Sequence, residues 1–256
     1  MDALILAAGY SRRLEPLTLT CAKPLLPVGG RPMVDYALDQ VRTVPGLRRT
    51  FVVTNDKFHA DFVAWSRHHP HVVIINDGTR DHTHRLGAIG DLALVVRCQQ
   101  VADDLLVVAG DNLFDASLGG FVAEAQARTP KVSIGIVDLQ DPGLIRGRYG
   151  VVSLAADGRV MAFEEKPAAP STTLVSTGIY YLPAPTLPRI ADYLAQGGTA
   201  DNIGHLVQWF VRDPGVHGCL LPGRWYDIGD RASYELADRT FRRGILRKER
   251  FELSRA

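Results

Sequence analysis

The sequence LILAAGYSRRLEPLTLTCAKPLLP, residues 4–27, decides how the chain folds. It opens with an apolar run that ends at Gly9, which is typical of a short buried strand. The segment after this run is rich in small residues and cations. Free backbone N–H groups and positive charge therefore meet at one end of the strand. Turns of this kind bind anions, and a phosphate chain is the anion we expect here.

Apolar segments alternate with amphipathic segments through the first half of the chain. We expect strands at residues 3–8, 50–53, 72–75, 105–109 and 132–137, and helices at 32–43, 56–66, 87–99 and 118–126. This alternation predicts an α/β fold with βαβ units, a Rossmann-like, mostly parallel mixed sheet with helices on both faces. Ligands bind beyond the carboxyl ends of strands in such sheets, so Gly9 and Asp111 are expected in one cleft.

The second half has a different pattern, centred on the hairpin signal Asp157-Gly158. We expect strands at residues 150–154, 160–163, 175–182 and 216–221, and helices at 186–195, 204–212 and 231–248. This half is therefore predicted to add a small antiparallel substrate lobe to the sheet.

The composition is that of an ordinary globular protein: 256 residues, 46% hydrophobic and 22% charged. No apolar run reaches the length of a membrane span, and the N-terminus lacks the pattern of a signal peptide. The formal net charge is +1, so the chain as a whole has no excess of positive charge that would favour nucleic acid or a membrane surface as a partner.

The cysteines and histidines do not indicate a metal site. Three cysteines lie far apart, so we expect reduced thiols in a cytoplasmic protein. The histidines cluster at residues 68–71 and 82–84, without zinc-site spacing, and we expect them in surface loops.

The opening segment has neither the P-loop ending Gly-Lys-Ser/Thr nor the GxGxxG pattern. Residues 6–18 (LAAGYSRRLEPLT) and 23–27 (KPLLP) instead resemble the signature of the sugar-1-phosphate nucleotidyltransferases, also called NDP-sugar pyrophosphorylases. Further matches follow in the family's order: LGAIG (86–90), AGDN (109–112), YGVV (149–152), EEKP (164–167), STGIY (176–180) and WYDIG (225–229). The chain resembles most the short glucose-1-phosphate thymidylyl- and uridylyltransferases, so no added acyltransferase domain is expected.

The resemblance implies transfer of NMP from an NTP to a sugar 1-phosphate, which yields an NDP-sugar and pyrophosphate. It favours dTTP or UTP as donor and glucose 1-phosphate as acceptor. Two polyanions must approach each other, so cations and Mg²⁺ are expected to offset their charge. We expect one domain over residues 1–256, with a nucleotide-binding part (1–137), a sugar-phosphate-binding part (138–230) and a C-terminal helix (231–256).

The resemblance also assigns roles to residues of this sequence. It implies Arg13, Lys23 and Asp111 as catalytic residues, and Asp111 with Asp227 as the ligands of Mg²⁺. The nucleotide-binding residues would be Leu6, Ala7, Ala8, Gly9, Tyr10, Ser11, Arg12, Arg13, Lys23 and Gly87. The substrate-binding residues would be Asn112, Gly150, Glu165, Lys166 and Thr177.

Some positions depart from the family pattern and leave alternatives open. Ser11 stands where a glycine is common and Arg12 where a threonine is common. A glutamine found near the base in several relatives is absent, and its position falls near His82, so GTP, CTP or ATP stay open as donors. The acceptor could also be a cyclitol phosphate or phosphocholine.

Two other classes of protein fit the sequence less well. A non-catalytic subunit should lack Arg13, Lys23 or Asp111, and an oxidoreductase of the Rossmann type should carry GxGxxG after its first strand. Relatives are often homo-oligomers, so the resemblance leaves a homo-oligomer open, but nothing in the sequence marks an interface.

Overall fold

A computed structural model describes residues 1–253, with side chains described through residue 242. The helices are α1 (Met33–Val41), α2 (His59–Ser66), α3 (Ala88–Cys98), α4 (Leu118–Gln126), α5 (Pro142–Ile145), α6 (Pro188–Ala195), α7 (Ile203–Phe210) and α8 (Arg231–Leu253). The strands are β1 (Asp2–Leu6), β2 (Pro27–Val28), β3 (Arg31–Pro32), β4 (Thr50–Thr54), β5 (Val72–Asn76), β6 (Leu105–Ala109), β7 (Asn112–Phe114), β8 (Val132–Asp138), β9 (Gly150–Leu154), β10 (Val160–Glu165), β11 (Leu174–Leu182), β12 (Val216–Leu220) and β13 (Trp225–Asp227).

The central sheet is mixed and has the order β10-β9-β11-β6-β1-β4-β5, with β8 and β12 joined to it through β11. Strands β6, β1, β4 and β5 run parallel, as the alternating pattern predicts. Strand β11 pairs antiparallel with β6, β8 and β9, and the β9–β10 hairpin forms at the Asp157-Gly158 turn. The predicted α/β class, with a mostly parallel half and an antiparallel lobe, is confirmed.

Helices cover both faces of this sheet because successive side chains of each strand point to opposite faces. On β1, Leu4 joins a core with α3, α6 and α7, whereas Ala3 and Ile5 join a second core with α1, α2 and α4. All three side chains are fully buried. A strand buried on both faces must be apolar throughout, which is why this segment shows no alternation in the sequence.

A third apolar cluster holds the signature segment (residues 9–27) in place. Leu14 and Leu26 of this segment pack with Leu113 of β7 and with Ile228, which follows β13. Helix α8 closes the cluster, since the Tyr234 hydroxyl donates to the Pro27 carbonyl at 2.7 Å. The signature loop is thereby fixed against residues that follow it by 100 to 200 positions.

The predicted elements differ from the observed ones mainly at their ends. The helix expected from residue 56 begins at His59, because the Asn55 side chain accepts from the Phe58 backbone N–H in a turn. The closing helix, expected to end at residue 248, continues to Leu253, and residues 254–256 lie outside the described chain. Strands β2, β3, β7 and β13 were not predicted, and Asn112 begins β7 where the sequence indicated only a turn.

Among the described residues, no helix combines the length and apolarity that crossing a bilayer requires.

Candidate active site

Two adjoining cavities lie at the carboxyl ends of the central strands. The first, of about 530 Å³, is lined by Gly87 and by residues 6–13, which run from the end of β1 into the signature segment, and the second, of about 250 Å³, by Gly150, Glu165 and Lys166. Arg13 and Asp111 line both cavities. The structure therefore brings the two predicted groups of binding residues to one junction.

Lys23 and Asp111 meet at this junction although 88 positions separate them. The Lys23 ammonium donates to Asp111 Oδ2 at 2.7 Å. The lysine side chain is only 6% exposed, while the aspartate is 37% exposed toward the cavities. A buried cation therefore fixes a carboxylate whose remaining surface is open to a ligand.

Asp227 is carried to the same place by a pair of short strands. Strand β13 pairs antiparallel with β7 so that Asp227 lies opposite Asn112, the neighbour of Asp111. Burial and the charge of Asp111 raise the pKa of Asp227, and the cations Lys23, Arg13 and Arg148 oppose that rise. Two carboxylates and three cations thus share one small volume.

The donor set at this junction fits a magnesium ion. Asp111 and Asp227 offer carboxylate oxygens, which are the ligands that Mg²⁺ prefers. The two negative charges repel each other, and a cation bound between them would reduce that repulsion.

The signature loop turns sharply at Ser11, which has a φ of 47° and a ψ of 45°. The Ser11 carbonyl accepts from the Leu14 N–H and the Thr18 hydroxyl, each at 3.0 Å, so the turn is held from two sides. This left-handed conformation explains the glycine common at this position in the family pattern, since glycine adopts it without strain. Arg12 lines the first cavity, and its side chain is 67% exposed.

Glu165 and Lys166 lie on the wall of the second cavity. The Lys166 ammonium is 3.4 Å from Glu165 Oε1 and donates to Asn202 Oδ1 at 3.1 Å. Two glycines make room for Glu165: an added Cβ would lie 3.3 Å from its Oε2 at Gly150 and 1.9 Å at Gly204. At Gly150 an added Cβ would also lie 2.3 Å from the Phe163 ring, so this position has no room for a side chain; Gly204 was not predicted.

Asn112 and Thr177 line the second cavity, but their side chains are engaged inside the protein. The Asn112 amide donates to the Thr177 carbonyl, and the Thr177 hydroxyl donates to the Gly135 carbonyl at 2.9 Å. Both residues are nearly fully buried. The Thr177 hydroxyl is thus already committed, and this pair supports the cavity wall from behind.

Gly87, predicted to bind the nucleotide, lines the first cavity and is closely approached by the chain itself. An added Cβ would lie 2.4 Å from the Ala200 carbonyl oxygen. The Ala88 and Ile89 N–H groups at the start of α3 donate to the carbonyls of Asp201 and Ala200, at 2.8 and 2.9 Å. The N-terminus of α3 is therefore occupied by the 200–201 loop.

The loop at residues 82–85, for which the sequence indicated no role, lines the far end of the first cavity. His82 and Arg85 line it, and the Arg85 guanidinium forms a two-pronged ion pair with Asp201 at 3.0 and 3.1 Å. Tyr10 faces His82 edge-on, with ring centroids 6.4 Å apart. His82 therefore belongs to a cavity, whereas His84 pairs with Asp81 on the surface.

Arg148 is a site residue that sequence reasoning missed. An added Cβ at Gly229 would lie 3.3 Å from Asp227 Oδ2, 3.5 Å from an Arg148 Nη atom and 3.9 Å from an Arg13 Nη atom. Arg148 also lines the second cavity. The signal was its position directly before the Tyr149-Gly150 motif.

Comparisons with known proteins identify relatives of this chain. The chain is 29% identical over 240 residues to glucose-1-phosphate thymidylyltransferase of Streptomyces griseus, covering 90% of this chain and 63% of the relative. It is 29% identical to UTP–glucose-1-phosphate uridylyltransferase of Synechocystis (97% and 64% covered) and 25% identical to the bifunctional protein GlmU of Methanocaldococcus jannaschii (90% and 51% covered). The chain thus spans between half and two thirds of the length of these relatives.

A solved structure shares the fold. A Bacillus anthracis protein assigned as a glucose-1-phosphate thymidylyltransferase superposes with a TM-score of 0.82 at 24% identity, covering 94% of this chain and 95% of that one. The model of the nucleotidyl transferase family matches residues 2–243. The chain belongs to the nucleotidyl transferase family.

Proposed function

We propose that this protein transfers NMP from an NTP to a sugar 1-phosphate and releases pyrophosphate. The observation that supports the proposal is the junction of the two cavities, where Arg13, Asp111 and Asp227 converge with the buried Lys23. One cavity is the size of a nucleotide site and the other adjoins it, as transfer between two bound substrates requires. The relatives include guanylyltransferases of mannose 1-phosphate as well as thymidylyl- and uridylyltransferases of glucose 1-phosphate, so their names leave the base and the sugar open. We propose dTTP or UTP as donor and glucose 1-phosphate as acceptor, as the resemblance of the sequence implies.

In this proposal, a phosphate oxygen of the sugar phosphate attacks the α-phosphorus of the NTP. The bond from that phosphorus to the oxygen of the β-phosphate breaks, and pyrophosphate leaves with the electron pair. No side-chain nucleophile is needed, so the chain contributes orientation and positive charge. Arg13 would hold the leaving phosphates, and Lys23 would lie against the α-phosphate.

The second cavity would hold the acceptor. Lys166 and Arg148 line it and bring two cations toward the sugar's phosphate group. Glu165 is an acceptor for sugar hydroxyls, and the backbone of Gly150 and of Thr177 closes the pocket. The two phosphate groups would then meet between cations, which lowers the cost of bringing them together.

Magnesium would be held by Asp111 and Asp227, and when bound it would neutralise charge on the phosphate oxygens. Lys23 donates to Asp111 at 2.7 Å, and we propose that its ammonium also offsets phosphate charge when the site is occupied. We further propose that the protein works in the cytoplasm, as expected from its cysteine pattern.

Pyrophosphate release with a panel of NTPs and sugar 1-phosphates, in Mg²⁺, tests the proposal. We expect turnover with at least one pair and a loss on the order of 100-fold or more in Lys23→Ala, as when one preorganised donor is removed. Lys57→Ala is the matched control, because Lys57 is exposed and lies over the Phe58 ring, whereas Lys23 is buried and pairs with Asp111. No turnover with any pair, or turnover that survives Lys23→Ala, would contradict the proposal.

A further inference from the structure

A pair of acidic side chains, Asp77 and Asp91, lies at the far end of the first cavity and is not used by the mechanism above. Asp91 is 6% exposed, sits one turn into α3 and lines the cavity with Tyr10 and Gly87. Its neighbour is Asp77, which follows β5 and whose negative charge acts on Asp91. Charged groups of this kind are costly to bury, so their presence in a ligand cavity calls for a reason.

Sheet order places this acid pair away from the phosphate end. Asp111 follows β6 and Asp77 follows β5, and the strands between them run β6-β1-β4-β5. Three strand spacings amount to roughly 14 Å. A nucleotide whose phosphates lie at Arg13 and Asp111 would therefore extend its base toward Asp91.

The neighbours of the pair define which oxygens are free. Asp77 accepts from the Thr79 N–H at 2.7 Å and from the Thr79 hydroxyl at 3.0 Å, and that hydroxyl is 3.1 Å from the hydroxyl of Tyr10. Asp91 Oδ1 is buried and has no donor among the described residues. Asp77 is thus satisfied as an ionised acceptor, and Asp91 is the member that needs a proton.

Burial and the charge of Asp77 raise the pKa of Asp91 to about 8. A neutral Asp91 can donate its O–H to a neighbouring carboxylate such as Asp77 and still offer its other oxygen as a carbonyl-like acceptor. A carboxylic acid in this state resembles an amide side chain in shape and in hydrogen bonding. The first cavity therefore contains an amide-like acceptor although it lacks the family's glutamine.

We propose that Asp91 is the residue that selects the nucleobase, by accepting a hydrogen bond from an N–H group on the base's Watson–Crick edge. Asp77, held by Thr79 and through it by Tyr10, is the positioning residue that keeps Asp91 in place. The inference rests on the proposed function, since it needs a nucleotide in the first cavity.

Calorimetry in Mg²⁺ tests this role. It measures the affinities of the protein for ATP, GTP, CTP, UTP and dTTP, and for inorganic tripolyphosphate as a probe that has no base. We expect the wild type to prefer one nucleotide. Asp91→Leu should bind that nucleotide at least tenfold more weakly, with tripolyphosphate affinity changed less than twofold, because losing a buried acceptor affects only the base. Asp91→Asn should keep the ranking, since an amide keeps both the acceptor and the donor to Asp77.

Asp91→Ser, which removes the carboxyl without adding apolar bulk, serves as a second variant with the same expectation. Asp192→Leu, on the exposed face of α6, is the control. An unchanged ranking and affinity in Asp91→Leu or Asp91→Ser would overturn the role of Asp91 while the proposed function stands. A wild type that binds neither nucleotides nor tripolyphosphate would overturn both.

Discussion

Gly204 shows how a single missing side chain shapes the acceptor pocket. A Cβ at this position would lie 1.9 Å from Glu165 Oε2 and 2.8 Å from the Phe163 ring. Neither contact can exist, so Glu165 would have to leave its place beside Gly150. Residue-scale effects of this kind are separable from overall stability, which makes them good tests of the site.

We expect Gly204→Ala to raise KM for the sugar 1-phosphate about tenfold or more, with little change in KM for the NTP. The reason is that the two groups displaced, Glu165 and the Phe163 ring, both line the second cavity and not the first. Steady-state kinetics with each substrate varied in turn measures this. Gly120→Ala is the matched control, because Gly120 lies in α4 with nothing within 4 Å of an added Cβ. Equal changes in both KM values would show that the pocket assignment is wrong.

Ser11 provides a second residue-scale test, because its φ of 47° is unfavourable for a β-branched side chain. Ser11→Val should cost about 1–2 kcal/mol of strain and weaken NTP binding, since the turn that presents the backbone N–H groups would relax. Ser11→Gly should retain NTP affinity. Calorimetric titration of both variants with NTP measures their affinities. Similar NTP affinities in Ser11→Val and Ser11→Gly would argue against a role of this turn in binding.

At the scale of elements, the β7–β13 pair does the most to assemble the site, and its two strands were not predicted. Each has only three residues, too few for a period of two to show, and they pair across more than 100 positions. The strands of the central sheet were predicted because runs such as 105–109 are long and uniformly apolar. Arg13, Lys23, Asp111 and Asp227 could be named from motifs alone.

The parts of the site that the sequence could not predict depend on long-range packing. Asp91 reads as the polar face of a helix, and only the position of β5 shows that it meets Asp77 inside a cavity. Gly204 belongs to no motif, and the only signal for Arg148 is its place before the Tyr149-Gly150 motif; the structure shows their roles beside Glu165 and Asp227. The hydroxyl of Thr177 could not be known to bond to Gly135, because that contact depends on the pairing of β8 with β11.

Leu113 of β7 gives the element-scale prediction. It is fully buried in the third cluster with Leu14 and Ile228, which lie beside Arg13 and Asp227. Leu113→Ala should lower the free energy of unfolding by about 2–4 kcal/mol through lost burial and a new cavity. It should also weaken NTP binding, because both groups of site residues lose support.

Denaturant unfolding and NTP titration of the same samples measure the two effects. Leu220→Ala is the control, since Leu220 is 62% exposed on β12. A destabilised Leu113→Ala protein that binds NTP with unchanged affinity would contradict the view that this cluster positions the site.

At the scale of the whole molecule, the buried acids make folding depend on pH. The pKa of Asp91 is raised to about 8 in the folded state, against about 4 in an unfolded chain. Between these values the folded protein holds a proton that the unfolded chain releases, so stability falls as pH rises from about 4 to about 8. The raised pKa values of Asp77 and Asp227 act in the same direction.

Asp91→Asn removes this dependence at one position. We expect the variant to match the wild type near pH 5 and to exceed its free energy of unfolding by about 1–3 kcal/mol near pH 8, because the wild type alone must bury a charge there. Urea unfolding at several pH values measures the difference. A gap between the two proteins that stays constant from pH 5 to pH 8 would contradict a raised pKa at Asp91.

The central claim is that the cations of the signature segment and two distant aspartates share one polyphosphate site. A crystal structure of the protein with Mg²⁺ and a non-hydrolysable NTP analogue tests it most directly. We expect the β- and γ-phosphates at Arg13, the α-phosphate at Lys23 and a metal ion between Asp111 and Asp227. Phosphates bound away from these four side chains, or a metal ion held by other residues, would contradict the account.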